Sequence, residues 1–470
     1  MAEWHAVATT PELVQSIAHF AGDTATFFSY LVALQPSNAL GDLELFLHLW
    51  RVGNKSKRLL RCQLWPELHL HWIDDDVAPL IRRVAPLVGT VHTHEVYDLA
   101  ALARCVPANQ PIAIHDCPHK SDISTSLAEW YATLRPFNLV HVGATRGWSH
   151  HGAQGIEWLR PFSCLRSLIL HELDDASMER VVGFVTSSSI THLSLGACFR
   201  AHITNVIARA LTRWLTCGNS VSLRLHQWVF CGDKINMHAL YHAMFTAPLE
   251  ELHLIASELY HVSSFRLNSS IQPASVCIEC CGLNNTALAT IFSGLKGAST
   301  TSFSLNGPMC TPSSIEYLGD ALRHSRLHKL YLSTPMVASA CSAMLAKALS
   351  NGTSLRELYL TGMNICDVHP LTLVIPSILS LQILDLSDNP IDLEGASQLI
   401  ETTKNCCPGI EMLKLHHINI HKHDVDTLQR LIDNRTNSIS SNGFLDMLER
   451  LRADLLIDIK HEAISESACS

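Results

Sequence analysis

The sequence predicts an α/β solenoid, a fold in which short parallel strands alternate with helices along the chain. Three observations support this prediction. Pairs of apolar residues separated by one residue recur at intervals of about 27 residues, a typical length for repeats of this kind. Helical apolar stripes lie between the pairs. A single unit of this pattern cannot bury its apolar face, so each unit needs neighbours on both sides.

The clearest unit is centred on Leu384 and Leu386. A strand places both leucines on one face and Asp385 on the other, because successive side chains alternate. Asn389 follows where its side-chain amide can bond the backbone of the turn. The same pattern predicts strands at residues 68–70, 91–93, 112–114, 140–142, 168–170, 193–195, 223–225, 252–254, 276–278, 303–305, 330–332, 358–360 and 413–415. We therefore expect about 12–14 repeats over residues 63–433.

The helical segments and the strands together resemble a known repeat family. Apolar helical stripes at residues 315–322, 344–351 and 395–399, combined with Leu-x-x-Leu-x-Leu strands, resemble leucine-rich repeats of the ribonuclease-inhibitor type. The resemblance implies a horseshoe with parallel strands on the concave face and helices on the convex face. The sequence departs from the family at the turn, where Asn389 alone keeps the asparagine. Elsewhere other side chains stand in its place: Cys117, Thr145, Cys198, Ser257 and Cys281.

Residues 1–62 lack the repeat and predict an α-helical module. A helix is expected to start at Pro11, and two more are expected over residues 26–34 and 43–50. The first helix resembles the start of an F-box, a three-helix module that often precedes leucine-rich repeats. That resemblance implies that residues 11–50 dock the adaptor of a cullin-type ubiquitin ligase. The alternative is a helical cap that shields the first repeat.

Residues 434–470 predict a C-terminal cap and tail. A polar stretch at 434–442 breaks the repeat pattern, and an amphipathic capping helix is expected over 445–459. The last residues, 462–470, are expected to be disordered.

Composition limits the partners and the cellular compartment. The net charge is −9, which argues against nucleic acid as a partner because phosphates need a basic surface. No basic-then-apolar leader opens the sequence, and no run of about 18 apolar residues predicts a membrane span. The 16 cysteines are therefore expected to be reduced thiols in the cytoplasm, or alternatively in the nucleus.

Histidine dominates the exposed strand positions in the N-terminal two-thirds of the array. The positions between and after the paired apolar residues include His69, His71, His92, His94, His115, His141, His171, His226 and His253. Three interpretations remain open: a neutral stacked ladder, a partner surface sensitive to pH, and a metal site. The metal site would use His69, His71, His92 and His94, and no carboxylate is evident beside them.

The C-terminal part of the expected concave face carries aromatic and charged residues. Tyr331, Tyr359, Asp385 and Lys414 occupy its strand positions, and tyrosine is a residue type that dominates binding energy at interfaces. We find no nucleotide-binding, hydrolase or metalloprotease motif, so we predict neither an enzyme nor a bound cofactor.

These observations predict a non-catalytic protein-interaction scaffold that binds a protein partner on its concave face. If the F-box resemblance holds, the protein is a substrate receptor of a cullin-type ubiquitin ligase. An alternative is a GTPase-activating protein of the Ran type, because that family shares ribonuclease-inhibitor-type repeats. Acceleration of GTP hydrolysis on a small GTPase would distinguish the two.

Overall fold

The computed structural model describes residues 11–433, except positions 19, 38–39, 56–62, 146, 268, 308–310, 335–339, 351–353, 408 and 421. The chain falls into two compact units that divide between Phe199 and Arg200. The predicted capping helix over 445–459 and the predicted tail lie outside the described residues. Among the described residues, no helix is both long and apolar enough to cross a membrane.

The first unit begins with three helices, α1 (Pro11–Ala18), α2 (Thr24–Leu34) and α3 (Glu44–Lys55). Asp23 caps α2 by accepting hydrogen bonds from the backbone N–H and the hydroxyl of Thr26, at 2.8 and 2.6 Å. The three helices predicted before the repeats are therefore confirmed, and α3 extends five residues beyond its predicted end.

Aromatic side chains join these helices to the segment that precedes the first strand. The ring of Phe27 stacks on Trp65 with centroids 4.0 Å apart, and Phe46 meets the same indole edge-on at 5.8 Å. The indole N–H of Trp65 donates to the carbonyl of Ala21 at 2.8 Å. Phe27, Phe46 and Trp65 are all buried. Residues 11–55 therefore share an apolar core with the start of the repeats.

Six parallel strands follow in the first unit, and each pairs with the next in sequence order. They are β1 (Leu68–Leu70), β2 (Val91–Thr93), β3 (Pro111–Ile114), β4 (Asn138–Ala144), β5 (Ser167–Leu173) and β6 (His192–Ala197). The helices that alternate with them are α4 (Ala78–Val84), α5 (Leu99–Cys105), α6 (Leu127–Thr133), α7 (Gly155–Leu159) and α8 (Asp175–Val185).

The second unit continues the pattern and adds a small sheet. Its strands are the short β7 (His202–Ile203), β8 (Ser222–His226), the short β9 (Val229–Phe230), β10 (Glu251–Ile255), β11 (Ser275–Glu279), β12 (Ser302–Asn306), β13 (Lys329–Ser333), β14 (Glu357–Leu360), β15 (Ile383–Asp385) and β16 (Met412–Lys414). Strands β7 and β9 pair with each other, and the others form a parallel series. Its helices are α9 (Asn205–Thr216), α10 (Lys234–Thr246), α11 (Asn285–Gly294), α12 (Pro312–His324), α13 (Ala340–Leu349), α14 (His369–Val374), α15 (Leu393–Cys406) and α16 (Lys422–Asp433).

Strand alternation produces the core of both units. Leu384 and Leu386 are fully buried, as are the paired leucines of most other repeats. In this part of the array neighbouring strands are in register, so Leu384 lies opposite Leu358 on one side and Leu413 on the other. The predicted register is confirmed there, and the architecture is the predicted α/β solenoid built from leucine-rich repeats. At β4 the predicted register is wrong, because Val142 and not Val140 lies opposite Leu168, and Val140 is only half-buried.

Asn389 satisfies the turn backbone as its position predicted. Its buried amide oxygen accepts hydrogen bonds from the N–H groups of Met363 and Ile365, both at 3.0 Å. Its amide nitrogen donates to the carbonyls of Leu360 and Leu386 at 2.7 and 2.8 Å. The side chain thus links two successive repeats, because it bonds backbone groups of both.

Ser257 occupies the same turn position in its own repeat and makes fewer hydrogen bonds to the backbone. Its hydroxyl accepts from the N–H of Trp228 at 3.2 Å and donates to the carbonyl of Ile255 at 3.0 Å. A hydroxyl has fewer donors and acceptors than a carboxamide, so it bonds fewer backbone groups than Asn389 does.

Candidate functional site

Six imidazole rings lie next to one another on the exposed side of strands β1–β4 in the first unit. We call this cluster the histidine surface. It consists of residues His69, His71, His92, His94, His115 and His141.

The parallel register brings these rings together. His69 lies opposite His92 in the β1–β2 pair, and their rings stack with centroids 4.5 Å apart. One row further along, His71 stacks on His94 at 4.5 Å, and His94 stacks on His115 at 4.5 Å with the planes 6° apart. The spacing follows the separation of neighbouring strands, which is close to the stacking distance of flat rings.

Hydrogen bonds run diagonally between the two rows of rings. The Nδ1 atom of His69 lies 3.0 Å from Nε2 of His94, and Nδ1 of His92 lies 2.7 Å from Nε2 of His115. Each pair can form only if one nitrogen carries the proton and the other offers its lone pair. The sequence predicted the stacked rows, but not these diagonal pairs.

Five of the rings resist protonation because they are partly buried and close to one another. Burial, with neighbouring histidines acting in the same direction, lowers the pKa of His94 and His115 to about 4. Burial likewise lowers the pKa of His141 to about 3. The pKa values of His69 and His92 are also lowered by burial, against the opposing effect of Glu67. At neutral pH these five imidazoles are therefore uncharged.

Glycines make room beside the rings. A Cβ atom on Gly143 would lie 2.3 Å from the carbonyl oxygen of His115, and one on Gly196 would lie 3.2 Å from Cγ of His171. Each glycine occupies the strand position that carries histidine in a neighbouring repeat. The absence of a side chain at Gly143 therefore lets β3 and β4 approach closely at the edge of the cluster.

Glu67 adds a carboxylate that sequence reasoning missed. Its Oε2 atom lies 3.0 Å from Nε2 of His92 and 3.8 Å from Nε2 of His69. The expectation that no carboxylate lies beside these histidines is therefore wrong. The signal was present, because Glu67 is two residues before His69 and strand alternation places both on one face.

The other histidines predicted for this surface lie on the later strands β5, β8 and β10. His171 lies over Gly196 in the first unit. His226 and His253 belong to the second unit, on β8 and β10. Burial and the nearby Arg224 both lower the pKa of His253.

The second unit carries a different exposed surface around two tyrosines. We call it the tyrosine recess, an open cavity of about 500 Å³ that Tyr331, Tyr359, Asp385 and Lys414 help to line. The two tyrosine rings lie 6.0 Å apart and are tilted by 39°. Lys414 holds its ammonium 5.5 Å from the ring centroid of Tyr359 and 3.7 Å from the carboxylate of Asp385.

Each tyrosine hydroxyl has a fixed partner. The hydroxyl of Tyr359 donates to the carboxylate of Glu357 at 3.0 Å, and burial with this bond raises its pKa to about 12. The hydroxyl of Tyr331 accepts from Thr361 at 3.0 Å. Asp385 is largely buried and accepts from the backbone N–H of Ser387 at 3.0 Å. The hydroxyl groups of both tyrosines are therefore engaged by neighbouring side chains of the recess.

Comparisons with known proteins gave matches to solved structures. No protein-family model matches the sequence, and no curated protein matches it. The chain is similar to an internalin of Listeria monocytogenes, at 14% identity over 85% of this chain and 94% of that one, with a TM-score of 0.32. It is also similar to a chain of the yeast Rad7–Elc1 complex, at 14% identity over 85% and 93%, with a TM-score of 0.42.

A third similar structure is the complex of TLR13 with a single-stranded RNA. The identity is 12%, the TM-score is 0.40, and the match covers 77% of this chain and 55% of that one. Identities and TM-scores at this level carry no argument about partners or activity. The strand register and the buried leucines define the class of this protein, which is a leucine-rich-repeat solenoid.

Proposed function

We propose that the protein is a non-catalytic protein-interaction scaffold. The observation that carries this proposal is the tyrosine recess. Two aromatic faces lie side by side there, within a frame of hydrogen bonds and ion pairs that holds them in place. Tyrosine and other large rigid side chains dominate the binding energy of protein interfaces because they bury much area at little entropic cost.

Charge at the recess suggests the kind of partner segment that it accepts. Lys329 approaches the ring of Tyr359 at 5.0 Å and Glu357 at 3.0 Å, and Lys414 approaches the same ring from β16, two strands away. The side chains of Lys329 and Lys414 are 46% and 29% exposed beside the tyrosine rings. A partner segment that combines an aromatic or aliphatic anchor with a carboxylate fits this arrangement.

Alanine substitution tests the recess. We expect Tyr359→Ala to weaken the binding of a partner isolated with the full chain by about tenfold or more. Tyr317→Ala is the matched control, because Tyr317 is 46% exposed on helix α12 and takes no part in the recess. Partners are captured by cross-linking in cells and their affinities are then measured with purified proteins. Equal affinities for all three chains would contradict this proposal.

The finer proposal is a substrate receptor of a cullin-type ubiquitin ligase, acting in the cytoplasm or the nucleus. In that role the repeats hold the substrate, and residues 11–50 dock the adaptor. Three large apolar side chains of this segment support the docking role because they are exposed: Ile17 at 40%, Phe20 at 88% and Val32 at 50%.

Point variants test the docking role better than a deletion does. Removing residues 1–62 would uncover Trp65, because Phe27 and Phe46 pack on it. The variant Ile17→Ser, Phe20→Ser, Val32→Ser leaves that core intact. We expect it to lose co-purification with a cullin adaptor while it keeps partners of the tyrosine recess. If neither the natural chain nor the variant binds an adaptor, the helices only cap the repeats.

A further inference from the structure

Glu67, His69 and His92 converge at one end of the histidine surface. Their ligand atoms all lie within 4.8 Å of one another, and the Oε2 atom of Glu67 is 3.0 and 3.8 Å from the two imidazole nitrogens. We propose that these three side chains bind a divalent transition-metal ion, with Zn²⁺ as the preferred ion. Two imidazoles and one carboxylate form a common zinc ligand set.

The observed separations suit a bound ion. Zinc bonds imidazole nitrogen and carboxylate oxygen at about 2.0–2.2 Å, so neighbouring ligand atoms in a tetrahedral site are roughly 3.3–3.5 Å apart. The separations of 3.0 and 3.8 Å lie on either side of that range. Small rotations of the three side chains suffice to bring each atom to bonding distance.

The backbone fixes the ligands relative to one another. Glu67 and His69 are two residues apart and share a face at the start of β1. His92 lies opposite His69 on β2, in a parallel register that also includes the buried pair Leu68 and Val91. The two histidine ligands are therefore held by paired strands, and Glu67 directly precedes the first of these strands, which lowers the entropic cost of ordering the set.

A second row of histidines orients the ligands. Nδ1 of His69 faces Nε2 of His94 at 3.0 Å, and Nδ1 of His92 faces Nε2 of His115 at 2.7 Å. When Nδ1–H of each ligand donates to the neutral ring behind it, the Nε2 lone pair of each ligand points towards Glu67. Metal-bound histidines typically donate their other N–H to such a partner, which fixes the tautomer and the ring orientation.

The charge of this cluster and its exposure to solvent also suit a bound metal ion. Glu67 contributes one negative charge and its side chain is 49% exposed, whereas the side chain of His92 is 14% exposed. An ion can enter from the side of Glu67, and water can fill a remaining coordination position.

Calorimetric zinc titration in the presence of a competing chelator tests this site in the full chain. We expect Glu67→Gln and His92→Gln each to lose one equivalent of bound Zn²⁺. The matched control is His253→Gln, which removes a half-buried strand histidine of the second unit and should bind as the natural chain does. Equal stoichiometry in all four chains, or no zinc bound by the natural chain, would overturn the proposal.

Cobalt substitution identifies the ligands without any variant. Exposed thiols such as Cys217 and Cys280 can also bind metal ions. Co²⁺ in the proposed site should give visible bands of a four- or five-coordinate ion with nitrogen and oxygen ligands, and no thiolate charge-transfer band. A thiolate band that accounts for all of the bound cobalt would contradict the site, even if the histidine variants failed to fold.

Substitution of His94 and His115 tests whether these residues hold the two histidine ligands in position. We expect His94→Gln and His115→Gln to keep one zinc equivalent but to bind it about 10–100-fold more weakly. Thermal unfolding without metal shows whether these chains remain folded. Unchanged zinc affinity in both folded variants would refute the orienting role that the diagonal hydrogen bonds suggest.

Discussion

The first unit presents neutral stacked imidazoles on its strands, whereas the second unit presents tyrosines among paired charges. Both surfaces occupy the same kind of strand position, above rows of buried and mostly apolar side chains. The comparison shows that strand alternation separates the residues that form the core from the residues that form the exposed surface. One set of positions determines the core, and the other set can vary its chemistry with little effect on that core.

The largest loss of stability is expected from a substitution in the buried core, which both units form in the same way. Leu384→Asp puts an unpaired carboxylate at a fully buried position, and we expect it to lower the free energy of unfolding by about 4 kcal/mol or more. Urea unfolding followed by circular dichroism measures the loss. Gln382→Glu is the matched control, because Gln382 is exposed two residues earlier. Retained cooperative unfolding in Leu384→Asp would refute the strand register.

The turn of the same repeat should show the next largest effect. Asn389→Ala leaves buried backbone groups of two repeats without partners, including the N–H groups of Met363 and Ile365. We expect a loss of about 2–4 kcal/mol in the free energy of unfolding. Ser257→Ala removes two hydrogen bonds and should cost less, on the order of 1 kcal/mol. Equal losses would show that the carboxamide has no special role.

Close packing at the histidine surface predicts a smaller loss of stability when a side chain is added in the first unit. In Gly143→Ala the new methyl group meets the carbonyl oxygen of His115, so we expect a loss of about 1–3 kcal/mol. Gly183→Ala is the control, because that glycine lies in helix α8 with open space around it. There the substitution should stabilise the protein by about 0.5–1 kcal/mol. Urea unfolding of the two variants tests whether Gly143→Ala destabilises the protein and Gly183→Ala stabilises it.

Acid should destabilise the protein through the histidine surface. The folded chain binds protons at His94 and His115 only near pH 4, whereas unfolded histidine binds them near pH 6.5. Between these values the unfolded chain binds more protons, so the free energy of unfolding falls as the pH falls. We expect the Tm to drop on the order of several degrees from pH 7.5 to 5. The drop should be smaller in His115→Gln, and a Tm that rises on acidification would contradict this.

The sequence was sufficient to predict what depends on local spacing. The alternation of Leu384, Asp385 and Leu386 gave the strand and its register, and Asn389 gave the turn bonds. The adjacency of Tyr331 and Tyr359 also followed, because they occupy the same position in successive repeats. Each of these features needs only the geometry of one strand and its neighbour.

Features that depend on side-chain rotation were beyond the sequence. Nothing in the spacing showed that His69 would bond His94 while it stacks on His92, because both contacts depend on how the rings turn. Asp385 and Lys414 occupy the same position in successive repeats, so their adjacency followed from the spacing, but their approach to 3.7 Å depends on how the two side chains turn. Glu67 was missed because it lies one residue before β1, although alternation would have indicated its face.

The protonation of the histidine surface tests the account most directly. The measurement is a pH titration of imidazole resonances by NMR in the metal-free chain, with assignments from His→Gln variants. We predict that His94 and His115 titrate near pH 4 and His141 near pH 3, while the same residues titrate near pH 6.5 in urea. Titration of all three between pH 6 and 7 in the folded chain would contradict the stacked, neutral surface described here.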